Sequence, residues 1–239
     1  MKTDLLLKFF VYISLILTIS SCDSLGDGPG DDEPYYPDKT QTLGKFGGVV
    51  LGSSGFYIIT LKPLNSEALF HFDGEDYTLT TTTEIKPEQA VEAMVLSDGT
   101  RSITISVDEM RTNAQITILV PGHDVIYTLD NMLAENAVSL YLGSSTSSFE
   151  DSFINYDYNL SLNHEVGDFT IIQKTTGSSN PSEIGMTETI NGSFSIQGGK
   201  INFSGDFGNL TLNYSATEIE FTEVGDSNYF FQIDLNKVY

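Results

Sequence analysis

Apolar and polar residues alternate along most of the chain from Phe46 onward, the pattern of half-buried β-strands. Residues 156–162 are the clearest case, because Tyr156, Tyr158, Leu160 and Leu162 fall on one face. The strands predicted in this way are residues 56–61, two within 68–83, 103–107, 114–120, 125–129, 137–142, 156–162, 168–173, 190–196, 200–207, 210–214, 218–222 and 229–235.

Turn signals separate these strands. Asp73-Gly74 and Asp98-Gly99 predict β-hairpins, and Gly/Pro or Gly/Asp pairs follow several later strands. Two Ser/Thr-rich segments, residues 143–152 and 175–186, are predicted to be loops. Many short strands at regular spacing predict an all-β fold, an antiparallel sandwich or barrel-like sheet, in one domain over residues 46–239.

Two segments are candidates for helix. Residues 87–95 begin with Pro87-Glu88 and place apolar residues at helical spacing, but they also alternate as a strand does. Residues 130–136 are predicted to form one or two helical turns. Neither alternative changes the fold class.

The start of the chain has the features of an export signal. Residues 9–19 are almost wholly apolar but shorter than the about 20 residues that span a bilayer. Ser20-Ser21-Cys22 then resembles a bacterial lipobox, which implies a signal peptide over residues 1–21 and lipidation of Cys22. The alternatives are an ordinary secretory signal or an uncleaved anchor. Cys22 is the only cysteine in the chain, so no intramolecular disulfide is expected.

Residues 22–45 are predicted to be a flexible acidic tether between the lipid and the domain. They are rich in Gly and Pro and poor in aliphatic residues, so they cannot bury enough apolar area to fold. Asp31, Asp32 and Glu33 resemble the acidic signal that directs lipoproteins of the Bacteroidota to the outside of the outer membrane. The alternative is a plain solvated spacer.

The chain is strongly acidic, with 11 Lys and Arg against 33 Asp and Glu and a formal net charge of −22 at pH 7. Such a surface repels nucleic acid and anionic lipid, so we expect no nucleic-acid partner. Calcium bound between acidic loops is an alternative, at residues 71–76 or 206–209, but no EF-hand spacing is present. We otherwise expect no metal and no cofactor besides the lipid on Cys22.

No catalytic motif is present, so we expect no enzyme. Gly52-Ser53-Ser54-Gly55 is one residue short of a nucleophile elbow, and the three histidines show no metal-binding spacing. Aromatic residues that could contact a ligand are Tyr35, Tyr36, Tyr156, Tyr158, Tyr229, Phe230 and Phe231. Five Asn-x-Ser/Thr sites are interpreted as alternating polar positions on strands, at Asn159, Asn191, Asn202, Asn209 and Asn213.

The C-terminal part resembles a family of small Bacteroidota lipoproteins whose all-β domain has no assigned function. The motifs that support the resemblance are Gly167-Asp168-Phe169-Thr170-Ile171, Ile190-Asn191-Gly192-Ser193-Phe194-Ser195-Ile196 and Gly205-Asp206-Phe207, with an early hairpin at residues 72–77. The resemblance implies an all-β envelope domain and gives no catalytic residue.

These observations favour a lipid-anchored, non-enzymatic envelope protein that binds a ligand or supports an envelope-protein partner. The alternative is a more specific module for a surface glycan or a small apolar molecule, with or without calcium. A third hypothesis, an envelope hydrolase, is disfavoured because its motifs are missing.

The lipobox predicts the outcome of Cys22→Ala. Without the thiol no diacylglycerol can be attached, so the protein should leave the membrane fraction and lose its lipid mass in intact-protein mass spectrometry. Unchanged membrane attachment would show that Cys22 is not the anchor.

Overall fold

The computed structural model describes residues 41–52, 54–134, 136–205, 207–225 and 229–239, which all belong to one compact unit. Within these ranges the chain forms seventeen β-strands and one 3-10 turn at Pro181–Glu183, and paired strands are antiparallel. The all-β prediction is confirmed. No helix in this part of the chain is long and apolar enough to cross a bilayer. The predicted signal peptide and most of the tether lie outside the described residues, with Cys22, Asp31, Asp32, Glu33, Tyr35 and Tyr36.

The first half of the described chain forms a sheet of nine strands, here called the N-terminal sheet. Its order is β7-β6-β5-β4-β3-β2-β1-β8, and β9 also pairs with β1. The strands are β1 (Gly44–Leu51), β2 (Gly55–Leu61), β3 (Glu67–Phe72), β4 (Glu75–Thr80), β5 (Val91–Ser97), β6 (Ser102–Val107), β7 (Ala114–Leu119), β8 (Ile126–Tyr127) and β9 (Asp130–Asn131).

The N-terminal sheet rolls around its own core. The large side chains Tyr57, Phe70, Leu96 and Ile103 are fully buried in one apolar cluster. The two ends of the sheet approach each other, because the Tyr127 hydroxyl on β8 donates a 2.7 Å hydrogen bond to the carbonyl of Ile116 on β7. The sheet is therefore nearly closed.

The second half forms a closed barrel of eight strands, here called the C-terminal barrel. Each strand pairs with the next one in sequence, and β17 returns to pair with β10. The strands are β10 (Val138–Phe149), β11 (Ser152–Asn163), β12 (Asp168–Ser178), β13 (Thr187–Gln197), β14 (Lys200–Gly205), β15 (Gly208–Tyr214), β16 (Glu218–Val224) and β17 (Phe230–Lys237).

The two helix candidates are both partly strand. Val91–Ser97 forms β5, with a bulge between Val91 and Met94 where Ala93 has a positive φ of 46°. The bulge adds a residue to the strand, which explains why the apolar spacing also fits a helix. Asp130–Asn131 pairs with β1 as a short strand rather than forming a helical turn.

The prediction of a loop at residues 143–152 is wrong. Val138–Phe149 and Ser152–Asn163 are continuous strands of 12 residues each, joined by a tight turn. The second Ser/Thr-rich segment, residues 175–186, begins as the end of β12 and becomes irregular only after Ser178. Glycine has low intrinsic strand propensity and serine is not a preferred strand residue, but pairing on both sides of β10 outweighs this here.

The N-terminal sheet packs against the outside of β10, β11 and β12. The contact buries an interface cluster that includes Val49 and Ile58 from the sheet and Leu140 and Ile172 from the barrel. Buried Asn159 adds a polar link, since its Oδ1 accepts a 3.1 Å hydrogen bond from the Gly55 backbone N–H. The two halves thus share apolar and hydrogen-bonded contacts.

A second polar link lies beside the interface cluster. One carboxylate oxygen of Asp130 accepts a 2.7 Å hydrogen bond from the Ser161 hydroxyl, and the other accepts a 3.2 Å bond from the Asn163 side-chain amide. These contacts position the β9 segment against the barrel.

Asn159→Leu tests the importance of the first polar link. The variant keeps side-chain volume but leaves the Gly55 N–H and the Ile172 carbonyl without their buried partner, so we expect a loss of about 1–3 kcal/mol in the free energy of unfolding. Chemical denaturation measures this loss. Asn209→Ala, at an exposed position on β15, is the control and should change stability by less than about 0.5 kcal/mol. Equal stability of the two variants would contradict the assignment.

Candidate functional site

The C-terminal barrel encloses a cavity of about 460 Å³, here called the barrel cavity. This volume lies in the range of about 300–1,000 Å³ that is typical of small-molecule sites. A closed barrel of eight strands has an interior that side chains fill or that holds one small ligand. The barrel cavity therefore identifies the candidate site.

The floor of the barrel cavity is apolar and buried. Leu160, Ile171, Phe203, Leu212 and Ile233 line it, and all five also belong to the buried core of the barrel. They come from five different strands, and the alternation of each strand turns them inward. The cavity is the part of the barrel interior that the core side chains leave unfilled.

The mouth of the barrel cavity lies at the end where β10 joins β11 and β12 joins β13. Tyr156, Glu188, Phe207 and Phe231 line this end and are partly or largely exposed, in contrast to the buried floor. The barrel cavity thus opens to solvent at this end of the barrel.

Small residues occupy much of the inner face of β10. Alternation from buried Tyr141 places Gly143, Ser145 and Ser147 on the inner face, opposite Leu235, Ile233 and Phe231 of β17. Because these side chains are short, that wall projects little into the interior. Gly143 is required for a further reason, since a Cβ there would lie 1.9 Å from the Asp234 carbonyl oxygen.

One polar pair stands in the wall of the barrel cavity. Gln173 of β12 is only 6 % exposed and lies opposite Tyr158 of β11 and Glu188 of β13. Its Nε2 donates a 2.8 Å hydrogen bond to Glu188 Oε2. Its buried Oε1 has no hydrogen-bond partner among the residues that the structure describes. A buried acceptor without a partner is costly.

The two tyrosines beside this pair remain neutral phenols at neutral pH. Burial raises the pKa of Tyr156, and the negative charge of Glu188 raises it further. Burial also raises the pKa of Tyr158, although a hydrogen bond with Ser145 partly offsets the increase. Each hydroxyl can therefore donate or accept a hydrogen bond.

Exposed apolar side chains surround the mouth. They occupy strand ends and connections at that end of the barrel, and they form a set here called the rim: Phe149, Phe153, Ile184, Met186, Phe207 and Val224, which are 45–76 % exposed. Exposed apolar groups concentrated at one place indicate an interaction surface.

The sequence identified part of this site. Tyr156, Tyr158, Leu160 and Phe231 were expected on strands, and the structure places all four in the cavity wall. Gln173 and Glu188 were missed, since only the register of β12 against β13 brings them together. A polar residue at an inward position of an otherwise alternating strand was the available signal.

The other candidates lie elsewhere. His71 pairs with Asp76 at 2.7 Å, whereas His123 and His164 each contact a phenylalanine ring edge-on. Among the described residues, no three His, Cys, Asp or Glu side chains are grouped closely enough to hold a metal ion. Asp206, part of one proposed calcium loop, lies outside those residues.

The five Asn-x-Ser/Thr sites all lie on strands, as the interpretation requires. Asn159 differs from the other four because it is fully buried at the contact between the sheet and the barrel.

Comparison of the chain with models of protein families, with curated proteins and with solved structures gave no match. The resemblance to Bacteroidota lipoproteins therefore stays a prediction, and the functional argument depends on the geometry of the barrel.

Proposed function

We propose that this protein is a non-enzymatic binding module of the bacterial envelope, attached to the outer membrane through a lipid on Cys22, whose C-terminal barrel holds a small apolar molecule. The observation that supports the ligand is the barrel cavity of about 460 Å³ with its buried apolar floor. The lipobox-like sequence supports the location.

The size of the cavity argues that it has a function. Protein interiors are normally packed as densely as organic crystals, with few voids larger than a water molecule. Because the barrel cavity opens to solvent, its apolar walls make fewer dispersion contacts than a packed interior provides. A small apolar ligand would restore those contacts.

The lining favours an apolar molecule over a glycan. The floor side chains Leu160, Ile171, Phe203, Leu212 and Ile233 carry no hydrogen-bonding group, so they cannot satisfy the hydroxyls of a buried sugar. The rim extends the apolar surface out to the mouth, where a ligand would enter.

The first test is binding of the neutral fluorescent dye N-phenyl-1-naphthylamine by the Cys22→Ala protein, purified from the soluble fraction so that no attached lipid competes. The dye should bind one site per chain with enhanced emission. Absence of saturable binding would contradict the proposal.

Ile190→Trp should weaken dye binding by roughly 5–150-fold, because Ile190 lines the cavity and overpacking typically costs about 1–3 kcal/mol. Fluorescence titration measures the dissociation constant. Asn191→Trp is the matched control, since the next residue on β13 points out of the barrel. Equal effects of the two substitutions would place the dye outside the cavity.

A further inference from the structure

The direction of the Gln173 amide is fixed by its neighbour. The carboxylate of Glu188 can only accept hydrogen bonds, so the group facing it at 2.8 Å must be the NH₂ of Gln173. The carbonyl oxygen Oε1 then points the other way, where no described residue donates to it. This unpartnered acceptor belongs to a side chain that lines the barrel cavity and is only 6 % exposed.

An unpartnered acceptor in this position favours a ligand that carries a hydrogen-bond donor. Gln173 Oε1 and the Glu188 carboxylate both accept, and the hydroxyls of Tyr156 and Tyr158 can turn to donate or accept. A ligand hydroxyl or amine would satisfy Oε1, whereas an ether or ester oxygen would leave it buried without a partner.

The charges of the lining residues also disfavour a ligand with a carboxylate head group. The side chains that line the barrel cavity in the described part of the chain include no Lys, Arg or His, and they include Glu188. A ligand carboxylate would therefore find no cation to pair with and would approach a like charge. Burial of an unpaired charge is unfavourable, so a fatty-acid anion is a poor occupant.

We infer that the ligand of the barrel cavity is an apolar molecule with a hydroxyl or amine head group, which donates a hydrogen bond to Gln173 Oε1, and that carboxylate-headed lipids are excluded. This inference rests on the proposed function, since it specifies the ligand class of the same cavity. The ligand's apolar part would lie on the floor residues and its head near β12 and β13.

The test is displacement of the bound naphthylamine dye from the full-length Cys22→Ala protein by four ligands with one alkyl chain: decanol, decylamine, decanoate and decyl methyl ether. Decanol and decylamine should displace the dye at concentrations roughly tenfold or more below the ether and decanoate. Decanol compared with the ether isolates the donor, because neither molecule is charged.

Two variants assign the preference to named residues. Gln173→Leu removes the acceptor, so decanol and the ether should become equal within about twofold, whether or not overall affinity changes. Glu188→Gln removes the negative charge, so decanoate should bind several-fold better. Glu220→Gln, an exposed carboxylate on β16, is the charge control and should leave the order of the four ligands unchanged.

Each outcome has one meaning. If the dye binds and all four ligands compete equally, the head-group inference is wrong while the binding module stands. If decanoate competes best, the inference is wrong in its charge argument. If the dye does not bind at all, the proposed function fails and the inference fails with it.

Discussion

Closure of the C-terminal barrel between β10 and β17 is the constraint on which the rest of the structure depends. These strands pair from Tyr141↔Lys237 to Ser148↔Phe230, although most of the barrel sequence separates them. Closure removes the two sheet edges and defines an inside. Only then do inward residues of strands distant in sequence face one another across a shared space.

The closing strand β10 carries small residues on its inner face. β10 must meet two requirements: a close backbone approach to β17, which demands Gly143, and a wall that leaves room, which Ser145 and Ser147 provide. The opposite face of the same strand contributes Leu140 to the contact with the N-terminal sheet. The N-terminal sheet therefore covers β10 to β12 from outside, while inward residues of β11 and β12 line the barrel cavity.

Hydrophobic alternation was sufficient to predict the fold class and the inward face of β11, with Tyr156, Tyr158 and Leu160, because one buried face has a period of two residues. It failed on residues 143–152. Serine and glycine do not alternate in polarity, so nothing local distinguishes that strand from a loop. Closure could not be predicted either, because register between distant strands depends on the whole assembly.

The Gln173–Glu188 pair could not be predicted from the sequence for a similar reason. The two residues are neighbours only through the pairing of β12 with β13. The pair is a candidate for ligand recognition because Gln173 Oε1 is also buried without a partner among the described residues. The chain contains many acidic and amide residues, so the sequence alone could not distinguish Gln173 and Glu188 from the others.

The rim side chains lie on strand ends and on connections between strands at the mouth of the barrel cavity. Surface connections of this kind accept substitutions and insertions more readily than the paired strands beneath them. Changes in what approaches the opening can therefore accumulate without disturbing the floor or the closing strand pair. Under the proposed function, the residues that admit a ligand could therefore diverge in evolution independently of the residues that hold it.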